Sequence, residues 1–224
     1  MDILKGNIYK GLIRLALPLM LFSLMNTLYN VVDTYWVAKI GELQVGAVSL
    51  IGPVMECGNA FAQGLSVAGV ALISREIGKG RKDHAVNYAS HLMYICITLG
   101  IVIGIVMMLF GHPILHFLST PSDIYQDSYR YLLGISLDFL FLFILTIFSS
   151  IRIASGDSAT GVKVNMLSSV FNCILDPIMI FGFHLGTFGV AMATTLSKAL
   201  VMPICFYILL KNKDIRKTKL EFHF

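Results

Sequence analysis

Apolar residues run through this chain in long unbroken blocks, without the short alternation of half-buried strands or the one-sided stripes of soluble helices. Residues 91–110 read HLMYICITLGIVIGIVMMLF, with no Asp, Glu, Lys or Arg among them. Similar blocks fall at 12–37, 45–73, 131–151, 164–183 and 188–210. A helix needs about 20 apolar residues to cross the hydrocarbon core, whereas a barrel strand needs about ten. Backbone groups in lipid must be bonded internally, so spans of this length are helices. The pattern predicts an all-α membrane protein of six transmembrane helices. Short connections make consecutive helices antiparallel neighbours in one bundle.

Composition agrees: 56% of the 224 residues are hydrophobic, 13% are charged, and mean hydropathy is +0.77. A soluble domain carries about 25% charged residues. The formal charge of +4 carries no nucleic-acid signal, because the basic residues follow the membrane. With both termini in the cytoplasm, 14 Lys and Arg lie inside: Lys5, Lys10, Arg14, Arg75, Lys79, Arg81, Lys82, Arg152, Lys163 and five in the tail. Only Lys39 and Arg130 lie outside, and Lys198 is within a span. The positive-inside rule thus gives a multi-pass protein of the plasma (inner) membrane. The basic start before an apolar run resembles a signal peptide, but the run is span-length and reads as an uncleaved first helix. Cys57, Cys96, Cys173 and Cys205 fall one per span without a CxxC pair and read as small buried hydrophobes.

The connections carry helix punctuation. Residues 78–83 (GKGRKD) form a basic turn; 119–123 (STPSD) form an external turn with Ser122 or Asp123 suited to cap the next helix. The SGD at 155–157 caps the fifth helix. No internal repeat or low-complexity tract interrupts the series. The tail, residues 211–224, is basic and polar and reads as a cytoplasmic connector after a lobe formed by 1–210.

Four carboxylates break the apolar blocks: Asp33, Glu56, Asp138 and Asp176. An acid at a span centre costs about 2.5–3.5 kcal/mol on insertion scales, so each requires a partner, water or a function. Asp33 lies near the outer end of the first helix and Asp176 about two-thirds along the fifth, so both fall in the outer half and can share a site. Asn26, Asn30 and Asp33 recur at i, i+4, i+7; Asn165, Ser169, Asn172 and Asp176 form a second such stripe. Asn26, Asn165 and Ser169 fit ordinary interhelical hydrogen bonding; the acids point to proton or cation chemistry. Two carboxylates at ~4 Å repel by about 4 kcal/mol at an effective dielectric of ~20, so the pair holds one proton or ionises around a cation. Pro18, Pro53, Pro177 and Pro203 lie in or beside spans; Pro177 frees the Cys173 carbonyl next to Asn172 and Asp176. Glu56 and Asp138 either line the same lumen or are satisfied by neighbours. Lys198, four residues after Thr194, either pairs with a buried acid or snorkels inward.

Five segments in order resemble the multidrug and toxic compound extrusion (MATE) family of secondary transporters. They are LALPLMLFSLMNTLYNVVDTYWVAKIG, GLSVAGVALISREIGKGR, RIASGD, NCILDPIMIFGF and GTFGVAMATTLSK. The resemblance implies a two-lobe fold of which this chain is the N-terminal six-helix lobe. It implies an antiporter that exports organic cations and drugs, driven by protons or sodium, with no other cofactor. By motif match the cation site is Asp33, Asn172, Asp176 and Thr194, with Tyr131 lining it and Pro18 bending the first helix. Ser149 stands where relatives often carry an amide. Family chains are about twice as long, so the expected partner, besides lipid and substrate, is a second six-helix lobe or a self-paired copy.

Other classes fit less well. Oligosaccharide-lipid flippases of the same superfamily have strongly cationic cavities, and here only Lys198 is available. An intramembrane aspartyl enzyme could use Asp33 and Asp176, but no HExxH or nucleophile elbow accompanies them, so a non-enzyme is expected. A non-transporting membrane subunit is the remaining alternative.

Overall fold

The computed structural model describes the backbone of residues 8–211; of the connector expected at 211–224, Lys211 ends the last helix and residues 212–224 lie outside the described residues, as do the side chains of Pro18 and Asn26. Every regular element among the described residues is helical. In chain order they are α1 (Ile8–Ile40), α2 (Glu42–Gly78), α3 (Lys82–Leu109), α4 (Gly111–Phe117), α5 (Ser122–Ser136), α6 (Asp138–Ala154), α7 (Ser158–Pro177) and α8 (Gly186–Lys211), with a π-helical turn at Ile178–Gly182.

Four helices, α2, α3, α7 with its π turn, and α8, are each long and apolar enough to cross a membrane; α5 and α6, bent by 43° at their junction, make a fifth. The 33-residue α1 would extend about 50 Å and brings the long rods to about six. The helices overrun the expected spans because their ends continue into the polar boundary. Two features lie outside the sequence pattern. The short helix α4 occupies part of the connection after the third span, and the fourth span is broken at Leu137. Gly134 and Ser136 precede the break and Asp138 follows it, but the apolar run continues on both sides and by itself reads as continuous.

The turn chemistry is partly as expected. Asp157 caps α7, accepting from the Thr160 backbone N–H at 3.1 Å and from its hydroxyl at 2.6 Å. At α5 the expected cap is corrected: the helix begins at Ser122 after Pro121, no side chain caps it, and Ser122 instead donates to Asp123 at 3.1 Å. Extended backbone at Pro121 (ψ 145°) leads directly into the helix, so Ser122 and Asp123 are already inside it.

The central rod is α6, with 10 of its 17 residues buried. An all-round apolar helix belongs inside, and Phe139, Phe143, Ile147 and Phe148 are fully enclosed. On one side α6 packs with α2 and α3 around Phe139, Phe143, Ile147 and Leu92. On the other it meets α7 and α8 around Phe148, Val164, Val201 and Cys205. A third cluster joins α1, α2, α4, α5 and α8 near the opposite end, around Val37, Ile51, Leu132 and Val190.

Small residues let these rods approach closely. The buried face of α3 reads Ala85, Ala89, Leu92, Cys96, Gly100 and Gly104, the pattern that brings membrane helices together through backbone contact. A Cβ on Gly104 would stand 2.6 Å from the Ser136 carbonyl oxygen, and one on Gly100 2.9 Å from the Leu140 Cα. The opposite face of α3 exposes Ile95, Val102, Ile105 and Leu109, as a lipid-facing surface should. The cysteines are free; Cys96 and Cys205 are buried and Cys173 half-buried. The expectation that all four are buried is corrected at Cys57, which is exposed on α2 beside the exposed Glu56.

Candidate cation site

Proline decides the backbone around the site. Pro177 has no N–H to return to Cys173, so the helix cannot continue its ordinary ladder. The chain widens into a π turn at Ile178–Gly182, closed by the Phe183 N–H on the Ile178 carbonyl at 3.0 Å. Such turns concentrate at functional positions. By contrast, α2 passes through Pro53 and α8 through Pro203 without losing helical assignment. The start of α8 presses against the π turn: a Cβ on Gly189 would lie 2.9 Å from the Met179 carbonyl oxygen. From α1, Trp36 meets Phe181 edge-on, ring centroids 6.1 Å apart.

On α7, Asn172 and Asp176 are buried at 1% and 0% exposure. The Asn172 amide donates to Asp176 Oδ1 at 3.3 Å and to the Thr194 hydroxyl of α8 at 3.4 Å. Thr194 donates in turn to the Val190 carbonyl at 3.2 Å. Asp33, half-buried on α1, acts electrostatically on Asp176, and both act on Tyr131 of α5. Three oxygens here, Asp33 Oδ1, Asn172 Oδ1 and Asp176 Oδ2, are buried without a hydrogen-bond partner. A buried acceptor left unpaired costs about 1–3 kcal/mol, and a charged one more.

Asp33, Asn172, Asp176, Thr194 and Tyr131 are therefore brought together. Tyr29 joins them: it lies beside Thr194 and within electrostatic reach of Asp33, Asp176 and Tyr131. It escapes sequence reading because a tyrosine in an apolar span is unremarkable; its one clue is the i, i+4 spacing to Asp33. Asn30 is exposed, its carbonyl accepting from Thr34 at 2.8 Å. Glu56 is exposed and accepts from Asn59 at 3.4 Å. Ser149 accepts from Asn165 at 3.0 Å, and Asn165 also donates to the Gly161 carbonyl at 2.9 Å. Asn165 thus joins α6 to α7 as interhelical hydrogen bonding requires.

Asp138 and Lys198 form a separate unit. Asp138 opens α6 at the break with no exposed surface, and Lys198 Nζ reaches its Oδ2 at 2.5 Å. Of the two readings for Lys198, the ion pair is the one adopted. Asp138 also acts on Tyr131, as do Asp33 and Asp176.

The donor set suits a proton or a small hard cation, since it consists of carboxylate, amide and hydroxyl oxygens. No cluster of three His, Cys, Asp or Glu side chains occurs among the described residues, so the oxygens come mainly from two acids and neutral groups.

The fold and site define a polytopic helical membrane protein with paired acids in its interior. Residues 18–178 match the MatE family, and the chain belongs to that family of multidrug efflux transporters. Among relatives, the chain is 29% identical over 216 residues to the multidrug export protein MepA of Staphylococcus haemolyticus, covering 94% of this chain and 46% of that one. It is 25% identical over 213 residues to the probable multidrug resistance protein YpnP of Bacillus subtilis, covering 95% and 48%. Its fold is similar to a MOP superfamily transporter from Pyrococcus furiosus, with TM-score 0.86, 29% identity, and 95% and 47% coverage. A MATE structure described as the bent conformation gives TM-score 0.84 at 29% identity, covering 95% and 47%. The chain spans about half the length of the relatives it matches.

Proposed function

We propose that this lobe carries the ion-binding half of an antiporter that exports organic cations and drugs in exchange for protons or sodium. The observation that carries the reading is the trio of unpartnered buried oxygens on Asp33, Asn172 and Asp176. A proton shared between the acids, or a sodium ion held by them with Asn172 and Thr194, satisfies those oxygens and removes the repulsion between the carboxylates. Emptying the site restores the repulsion, and α1, which packs chiefly on α7, is the element positioned to respond. The relatives' multidrug names and the family match supply the substrate class. Alternating access requires two bodies moving against each other, so this lobe works with a second six-helix body, either a second lobe or another copy. The termini lie in the cytoplasm and the protein in the plasma membrane, as the basic connections favour.

The test is ethidium efflux from cells expressing the chain, together with sodium-22 binding and proton release on the purified protein. Asp33→Asn and Asp176→Asn should each abolish ion binding and efflux while the protein still reaches the membrane. Unchanged ion binding in both variants would overturn the reading.

A further inference from the structure

From Phe110 to Ser122 the chain leaves α3, forms α4 and turns back, and none of these residues is Asp, Glu, Lys or Arg. A connection of that length and ordinary soluble composition would hold about three. The turn at the other end of α3, residues 78–83, carries Lys79, Arg81, Lys82 and Asp83. The apolar residues after α3 are not all used inside the bundle. Leu115 is fully buried, but Phe117 is 88% exposed, Leu109 72% and Phe110 54%. The polar tips beside them are partnered. His112 stacks on Tyr129, ring centroids 4.1 Å apart, and its Nδ1 shares a 2.8 Å hydrogen bond with the Tyr125 hydroxyl. Those contacts, with Leu115 in the cluster around Leu132, fix α4 on α5. Depth points the same way. The 28 residues of α3 rise about 42 Å, the thickness of a bilayer with its headgroup layers, ~40–45 Å. With Lys82 in one headgroup layer, Leu109 and Phe110 emerge in the other.

We propose that α4 is an interfacial anchor whose outward face, Phe110 and Phe117, inserts among the glycerol groups and first acyl carbons of the leaflet opposite the basic turns. Water is a poor occupant, because three large apolar side chains stand open there with no charged residue among them. Continuity selects lipid. The lipid-facing side of α3, through Ile95, Val102, Ile105 and Leu109, runs into Phe110 and Phe117 with no charged residue between. Exposed Phe and Leu beside Tyr and His rings have the composition of a membrane boundary, apolar bodies with polar tips. Because the His112 stack joins α4 to α5, the anchor also braces the end of the helix that carries Tyr131. None of this depends on ion-coupled transport.

Tryptophan fluorescence of the full chain in phosphatidylcholine vesicles tests it, in a Trp36→Phe background that removes the single native tryptophan. Arg81→Trp, at an exposed position in a basic turn, serves as the water-facing reference. Phe117→Trp should emit at shorter wavelength than that reference and be quenched several-fold less by the neutral aqueous quencher acrylamide. Lipid brominated near the glycerol end of its acyl chains should quench it more than lipid brominated near the methyl end. Phe110→Trp should behave alike, so the result does not hang on one substitution. Acrylamide quenching of both equal to that of Arg81→Trp would place the face in water and overturn the proposal. Protection from acrylamide and from both brominated lipids would also overturn it, because protein would then cover the face. Stronger quenching by the methyl-end bromines would overturn it as well, making α4 part of a span rather than an interfacial helix.

Discussion

Asp157 shows how one residue can hold a connection in a protein that is mostly apolar rod. Its carboxylate caps α7 through Thr160 and pairs with Arg152 across the turn. The Thr160 hydroxyl, followed by Arg152, holds its pKa below the usual carboxylate range. A lowered folded value means that its stabilisation is present above the unfolded value of about 3.9 and is lost as pH falls through the lower folded one. Asp157→Ala should therefore cost about 1 kcal/mol at neutral pH, the ordinary worth of a cap. The difference from the parent should shrink in thermal melts as pH falls through the carboxylate range. Asp138 and Lys198 behave differently because one partner is wholly enclosed. Asp138→Asn or Lys198→Met alone leaves an uncompensated charge, at a cost of about 3–5 kcal/mol. The double variant should recover most of that loss in detergent melting; losses that simply add would show that the pair is not coupled. Asp33 and Asp176 are legible in sequence because acids stand out in apolar blocks. Tyr29 is not, since its role depends on which α8 residue it meets.

At the scale of elements, apolar block length predicts the helices well and their interruptions poorly. Pro177 changes the helix type, whereas Pro53 and Pro203 do not, because the effect of a lost N–H depends on whether neighbouring backbone can rearrange. The α5–α6 break at Leu137 is flanked by Gly134, Ser136 and Asp138, which the length of the apolar block outweighs in a sequence reading. It lies where Ser136 and Leu140 meet the glycine face of α3, a contact fixed by tertiary packing. Gly104→Ala should lower the melting temperature, by roughly the 1–3 kcal/mol of an overpacked core, because the obstructing atom is backbone oxygen. Gly52→Ala meets nothing within 4 Å and should be neutral or slightly stabilising through helix propensity. If both variants melt alike, close approach along α3 is not what orders this part of the bundle.

For the whole molecule, the asymmetry of basic residues sets an orientation that can be checked directly. Arg81→Cys and Ser122→Cys place thiols at exposed positions on opposite ends of the bundle. With the native cysteines as background, an impermeant maleimide should label Ser122→Cys from outside intact cells and Arg81→Cys only after permeabilisation. The reverse pattern would invert the topology. α1 exposes an apolar stripe of Leu24, Leu28, Val31 and Tyr35, a surface suited to lipid or to another helical body.

Composition and apolar run length by themselves determine that the chain is a helical membrane bundle, because backbone in lipid leaves no other option at this span length. They also single out Asp33, Asn172 and Asp176, since polar groups in hydrocarbon require a reason. Only the tertiary structure decides which polar groups satisfy one another. It gives Asp138 to Lys198 and Ser149 to Asn165, brings Tyr29 to Thr194, and leaves three oxygens of the acid site without partners. Those outcomes depend on helix rotation and close approach, which small residues on several helices set jointly and no single stretch of sequence encodes.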